Sequence, residues 1–475
     1  MRNLIVILIA LFTGSLQAQS EFLDSNAAAI NAFLHEHFDS NNSSMVIGLV
    51  DEHGTRVFSA GRLDNVTSKS VDGDTVFEMG SITKVFTSLL LLDAVRRGEM
   101  KLDDPVEKYM PGGVTIPTFR GKEITLLNLA VQDSGIPWHP PGHEEFLRPE
   151  SGEPDLEGFK KAANAYTVEM LYQFLSSHEL EQEPGVSFQY SNVGMALLGH
   201  AIERASGTDY ESLVVDRICR PLGMKDTCFT PSGEQKSRLA HGHLADGTKT
   251  DFWSFQAMKP AGGQLTTAND MLKFLSANLG LSETPLTPLM RQTHLVRHSG
   301  SQQFGQTAMP WFDNGVYIPP GSNLLGHSGG GAGNLAFVAI DTTNRRGVVV
   351  LTNQMNTYPN PVGWTLIQRM PFTPSNTTLA VREVVGLGIG LKKDTPTDRL
   401  TITKVFPHSP AGEAGLSIGT EVTQIDDTSV ESRDLSACMR LLSGEINTSV
   451  RLYVRDDNGV ERVLELARRP FLTNG

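Results

Sequence analysis

Cysteine is scarce. The 475-residue chain has three, Cys219, Cys228 and Cys438, and no two form a C-x-x-C pair. That excludes the usual thiolate zinc site. Cys219 and Cys228 are near enough in sequence for a disulfide in an oxidising compartment, with buried free thiols the equal alternative. The 13 histidines include no H-E-x-x-H, and His35 and His37 read as part of a solvated helix face. No metal or cofactor motif is found. Long basic runs are also missing, and the formal net charge is −13, which argues against nucleic acid as a partner. The first apolar run, Leu4–Phe12, has nine residues, too few to cross a bilayer.

What is present starts with a leader. MRN carries a positive charge, the apolar run follows, and GSLQA ends in the small residue Ala18. This is the pattern of a secretory signal cut after Ala18. The expected location is periplasmic or secreted, with no stable membrane span after cleavage. Residues 21–38 read as an amphipathic helix, and 45–50 and 56–61 as two strands of a hairpin. The middle region is rich in helical patterns, including 167–180 and 193–207. Strands return at 335–343 and 346–353. Strands at both ends of a helical middle predict one mixed sheet covered by helices, an α/β arrangement. Residues 137–162, rich in Pro, Gly and Glu, read as a long surface loop or lid. Residues 370–379 read as a linker, and 380–475 as a smaller separate unit with one helix over 433–444.

The fragment MGSITK, residues 79–84, places Ser81 and Lys84 three apart at the start of an apolar helix pattern. Residues three apart share a helix face, so a hydroxyl and an amine meet beside free backbone N–H groups. The bland alternative for such a pair is a helix-capping serine followed by a solvated lysine. Two further fragments bear on the choice. QYSNVG holds Tyr190 and Asn192. GHSGGG holds His327, Ser328, Gly329 and Gly330, and reads as a glycine-rich turn before a strand.

Taken in this order, S-x-x-K, Y-x-N and H-S-G resemble the serine β-lactamase and penicillin-binding-protein superfamily, in its class C branch. ITLLNLAVQDSGIP (124–137), PLGMKDTCF (221–229), AGGQLTTANDMLKFL (261–275) and YPNP (358–361) extend the resemblance over roughly residues 22–368. It implies a β-lactamase/transpeptidase-like domain over residues 19–369 and an acyl-enzyme on Ser81. Lys84 or Tyr190 would take the serine proton, a choice the sequence leaves open. Asn192 would orient Lys84 and the substrate amide. The backbone N–H groups of Ser81 and Gly330 would form the oxyanion hole. Most class C β-lactamases carry a lysine where this chain has His327, so the attraction for a substrate carboxylate is weaker and pH dependent. Asn360 matches an asparagine near that carboxylate, but Gly363 or a neighbour replaces the arginine expected after it. Both departures argue against an efficient β-lactamase. They favour a hydrolase of esters or D-amino-acid peptides, with slow turnover of β-lactams as the third reaction.

In the C-terminal unit, GLGIG (386–390) is followed by SPAGEAGLSIGTEV (409–422), which resembles a PDZ domain of bacterial envelope proteases. The resemblance implies that Gly386, Leu387, Gly388 and Ile389 offer backbone N–H groups to a polypeptide C-terminal carboxylate. The expected partners are therefore a small-molecule or peptide substrate and a polypeptide end. The competing function is a non-catalytic penicillin-recognising sensor or PDZ-led scaffold.

Overall fold

The computed structural model describes residues 21–474, apart from 39–42, 64–68, 148–154, 245–246, 254, 302–304, 314–322, 332, 358, 374–380, 395–396, 407–408, 434, 443–447 and 457–458. The expected signal segment, Tyr358 and most of the expected linker lie outside the described residues.

β1 (Ser44–Asp51) is buried along its whole length, so its alternating side chains serve two faces. Val46 and Val50 enter one core, while Met45, Ile47 and Leu49 enter another. β2 (Gly54–Gly61) folds back on β1. The other strands come from far along the chain: β3 (Leu324–Gly330), β4 (Leu335–Asp341) and β5 (Arg346–Thr352). The sheet order is β2-β1-β5-β4-β3 and every pairing is antiparallel. The sheet does join early and late segments, but it is not mixed. Each group of consecutive strands is linked by tight turns, which force antiparallel neighbours.

α1 (Ala27–Phe38) and, near the end of the domain, Pro359–Ile367 fill one face of this sheet. The other face carries α2 (Thr83–Arg96), α4 (Asn192–Ser206) and α5 (Ala268–Asn278), with α3 (Leu156–Ala165) further out. α2 is apolar on nearly all sides and is buried from Thr83 to Ala94, as expected of a helix at the centre of a large core.

Several expectations are corrected. Residues 21–38 form two helices, Glu21–Asp24 and α1. The 137–162 region is not all loop: it includes the helix Glu144–Leu147 and the start of α3. Asp155 caps α3 by accepting from the Gly158 N–H, and Phe159 and Ala163 are its buried side chains. A capping aspartate and a sparse apolar stripe were masked by the Pro/Gly/Glu composition around them. GHSGGG is not a turn before a strand. Residues 326–330 are the end of β3 itself, paired with β4. The three cysteines are free and buried, with no Cys219–Cys228 bond. Burial also pushes the Cys228 thiol up to about 12, so it stays protonated.

The helix Pro359–Ile367, α6, explains the missing arginine. A Cβ at Gly363 would overlap the Phe337 ring on β4, so this helix can lie against the sheet only if position 363 has no side chain. Gly363 is buried, and Val362, Trp364, Leu366 and Ile367 pack into the same core.

Beyond this, residues 387–466 supply a hydrophobic core of their own, centred on Leu400, Ile402, Val422, Ile425 and Leu452. Among the described residues six strands form its main sheet: β7 (Ile389–Asp394), β8 (Arg399–Val405), β9 (Glu421–Ile425), β10 (Ser449–Arg455) and β11 (Glu461–Ala467) in that order, with the short strand Thr428–Ser429 paired to β9. β6 (Val381–Gly386) pairs with β12 (Arg469–Asn474), joining the start of this segment to its end. α7 (Leu435–Leu442) lies beside β7 and β9.

Gly363→Ala is expected to lower the free energy of unfolding by about 1–3 kcal/mol through overpacking on Phe337, although alanine is the better helix former. Urea unfolding followed by circular dichroism checks this, and an unchanged or raised midpoint contradicts it.

Candidate active site

Ser81 stands in a single 3-10 turn, Gly80–Ile82, that runs directly into α2. Gly80 has φ +52, a left-handed conformation that a side chain disfavours. A Cβ on Gly80 would overlap the backbone of Gly330, and one on Gly329 would overlap the carbonyl of Met79. Two glycines therefore let the end of β3 press against the backbone just before Ser81. The turn is pinned elsewhere as well. The Met79 N–H donates to Gln264 O at 3.1 Å, and the Thr83 hydroxyl donates to Gly80 O at 2.7 Å.

One helical turn on, Lys84 is fully buried, with its Nζ 2.9 Å from Ser81 Oγ. The same Nζ donates to the backbone carbonyl of Ala261 at 2.6 Å and lies 4.8 Å from the centre of the Tyr190 ring. Burial holds the Lys84 amine well below its ordinary value. It pushes the Tyr190 phenol above its own, with a hydrogen bond to Ser81 as the smaller, opposing influence. The amine therefore loses its proton readily and the phenol keeps it.

Tyr190 precedes α4 in a tightly held turn. The Ser191 N–H donates to Gln132 Oε1 at 2.6 Å, and the Ser191 hydroxyl donates to Pro137 O at 2.8 Å and caps α4. The Asn192 N–H donates to Trp138 O at 2.9 Å. The Asn192 side-chain amide lies 3.5 Å from His139 Nδ1 and makes no hydrogen bond to Lys84 among the described residues. The expected orienting contact from Asn192 to Lys84 is not found among the described residues; the Lys84 amine donates to Ala261 O instead.

His327, on β3, is buried, and its Nδ1–H donates to Ser328 O at 2.6 Å. A carbonyl only accepts, so this bond fixes the tautomer and leaves Nε2 as a lone pair, itself buried and without a hydrogen-bond partner among the described residues. Burial, with the neighbouring Lys84 second, lowers the imidazole to about 3. Its ring packs 4.9 Å from that of Phe312. The pH-dependent cation expected at this position is therefore not supplied. Asn360, half-buried in the first turn of α6, has no hydrogen bond to Ser81, Lys84, Tyr190 or His327 among the described residues.

Three supporting residues carry no motif of their own. Ala261 acts through a backbone carbonyl, which any residue would provide. Gln132 holds the tyrosine turn from within the QDSGIP segment. Glu78, buried three residues before Ser81, accepts from the Trp253 N–H at 2.6 Å and the Asn334 amide at 3.1 Å.

The beta-lactamase family model matches residues 27–369. This chain belongs to that family. It is 29% identical over 335 residues to the D-alanyl-D-alanine-carboxypeptidase/endopeptidase AmpH of Escherichia coli (strain K12), covering 67% of this chain and 82% of that protein. Among solved structures, a beta-lactamase/D-alanine carboxypeptidase from Yersinia pestis complexed with citrate is 25% identical with a TM-score of 0.56, covering 69% of this chain and 93% of that one. The D-alanine carboxypeptidase AmpC from Burkholderia cenocepacia is 25% identical with a TM-score of 0.58, covering 73% and 99%. This member of the beta-lactamase family is thus a serine hydrolase.

The His327 reading has a direct check. The imidazole is expected to keep its neutral nitrogen chemical shifts from about pH 8 down to about pH 5, because protonation would bury a charge beside Lys84. A titration midpoint near the ordinary histidine value contradicts it.

Proposed function

We propose that Ser81 is the nucleophile of an exported hydrolase that cleaves amide or ester bonds through an acyl-enzyme. The observation that carries the proposal is the dry Lys84 amine within hydrogen-bond distance of the serine hydroxyl. With its cationic form disfavoured, the amine accepts the Ser81 proton as Oγ attacks the substrate carbonyl carbon. The high-affinity phenol of Tyr190 suits a relay: it receives the proton from Lys84 as it gives its own to the leaving amine or alcohol. The Ser81 and Gly330 N–H groups receive the developing oxyanion. Water then attacks the acyl ester, releases the carboxylic acid and restores Ser81.

The substrate class follows from what is missing. Neither His327 nor position 363 offers a cation for a carboxylate beside the scissile bond. Esters and internal bonds of D-amino-acid peptides, with no carboxylate next to the cleaved bond, are therefore favoured over penicillin-type lactams. The endopeptidase activity of the Escherichia coli relative supports the D-amino-acid part of this reading, whereas its carboxypeptidase activity acts beside a terminal carboxylate. Export rests on the leader over residues 1–18. Among the described residues no helix is long and apolar enough to cross a membrane.

For the C-terminal unit, residues 380–475, the proposal is a PDZ-type site for a polypeptide C-terminus. The carbonyls of Leu387 and Gly388 accept from the Ala411 and Phe406 N–H groups, each at 2.9 Å. In a planar trans peptide the N–H points opposite to the carbonyl, so the Gly388 and Ile389 N–H groups face away from that turn. β7 stands at the edge of its sheet with α7 alongside, which suits addition of a peptide strand.

Two tests follow. Lys84→Arg, which keeps a permanent cation, is expected to reduce kcat/KM on activated esters by about 10²–10⁴-fold, and wild-type kcat/KM should fall with pH as Lys84 is protonated. Intact-protein mass spectrometry should show an acyl adduct with wild type and none with Ser81→Ala. Equal labelling of both, or full activity in Lys84→Arg, overturns the assignment; an adduct that persists for hours with every substrate turns the reading to a sensor. At the C-terminal unit, a fluorescent peptide with a free C-terminus should bind the full chain at least tenfold more tightly than its amidated form. Equal binding refutes the carboxylate loop.

A further inference from the structure

A cleft of about 450 Å³ opens away from the Ser81 centre, and neither of the sites above uses it. It lies between the end of α5, the helix Thr287–Thr293 and the turn that joins β4 to β5. The serine turn meets the sheet at the other end of β4, where Leu335 pairs with Gly330. The six steps from Leu335 to Asp341, at about 3.4 Å each, separate the two ends by roughly 20 Å.

Two guanidinium groups meet at Gly280, just past the end of α5. Arg345 Nη2 donates to Gly280 O at 2.8 Å, and its Nε donates to Leu279 O at 3.3 Å. The remaining N–H groups of Arg345 are unused. Arg345 also has φ +52, a left-handed conformation in which glycine would be free of strain. Arg291 Nη2 lies 3.4 Å from the point that a Cβ on Gly280 would occupy. Arg291 makes no side-chain hydrogen bond or ion pair among the described residues. No acid is among the described residues that line the cleft, in a chain with a formal net charge of −13. His294 adds no charge. Asn278 Nδ2 donates to Phe274 O at 2.8 Å, so its Oδ1 accepts from the His294 Nε2–H at 3.0 Å. Burial, with the neighbouring Arg291 second, lowers the imidazole to about 4. The positive charge of the cleft therefore comes from the two arginines.

We propose that this cleft binds a phosphate dianion, free or borne by a small molecule, between Arg291 and Arg345. The planar guanidinium matches phosphate oxygens in pairs, which a lysine ammonium cannot do. A phosphate monoester carries about −1.5 to −2 charge at pH 7, close to the sum of the two arginines, whereas a monocarboxylate carries half as much. Binding also relieves the repulsion between two like charges held at one glycine. Small-molecule sites commonly enclose about 300–1,000 Å³, so the cleft has room for the body that bears a phosphate.

Isothermal titration calorimetry of the full chain at fixed ionic strength tests this with glycerol 3-phosphate, inorganic phosphate and acetate. Both phosphates are expected to bind, and acetate about tenfold more weakly or less. Arg291→Gln is expected to weaken phosphate binding about tenfold or more. Because Arg291 has no structural bond to lose, this variant should keep the wild-type urea midpoint. Arg345→Lys, which keeps the charge and loses the fork, should weaken binding as well. Ser81→Ala should bind phosphate as wild type does, which separates the cleft from the serine centre. Tighter binding of glycerol 3-phosphate supports a phosphate ester as the ligand, and tighter binding of inorganic phosphate supports the free ion. No binding of either phosphate, equal binding of acetate, wild-type affinity in Arg291→Gln, or loss of binding in Ser81→Ala overturns the proposal.

Discussion

The base role proposed for Lys84 depends on an amine kept out of water, and the burial of that amine dominates the centre. A solvated lysine would remain a cation and could not take a proton from serine. Burial removes the stabilisation that water gives the charged form, while the Ala261 carbonyl still satisfies one N–H of the neutral amine. This places demands on the neighbours. α2 must be apolar on almost every side, the 261–264 segment must approach closely, and the Tyr190 ring must close the remaining side. His327 is affected by the same dryness: next to a buried lysine and away from solvent, it too stays neutral. One physical condition thus accounts for the state of the three principal titratable groups.

How much of this was legible in the sequence depended on whether the determinant was a side chain at a local spacing. The meeting of Ser81 and Lys84 follows from the i,i+3 geometry of a helix, and the two-faced burial of β1 follows from its unbroken apolar run. Lys84's partner was not legible, because Ala261 contributes a carbonyl common to all residues. The role of Gly363 was visible only as a missing arginine. It took the position of Phe337 to show why no side chain fits there. α3 was hidden by the composition around it, and with it the place of Phe159. The neutral state of His327 depends on how deeply β3 is covered, which no local pattern encodes.

The same contrast applies to the glycines of β3. Read along the chain, GHSGG is a flexible run. In the fold, Gly329 and Gly330 belong to a paired strand, and their lack of side chains permits contact with another backbone. The residues that define the centre therefore lie on three separate pieces: the turn before α2, the turn before α4, and β3. Each is fixed by hydrogen bonds that begin outside the centre, at Gln264, at Gln132 and along β4.

The antiparallel pairing of β1 with β5 has a consequence in time. β1 is made early in synthesis, but its neighbour in the middle of the sheet lies at residues 346–352, and β3 can join the sheet only through β4 and β5. Closing so long a loop is entropically costly and waits for the late strands. Until they arrive, Gly330 has nothing to press it against Gly80, and the serine turn lacks one wall. A chain caught part-way through synthesis would contain both Ser81 and Lys84 but would have no enclosed centre in which they could react.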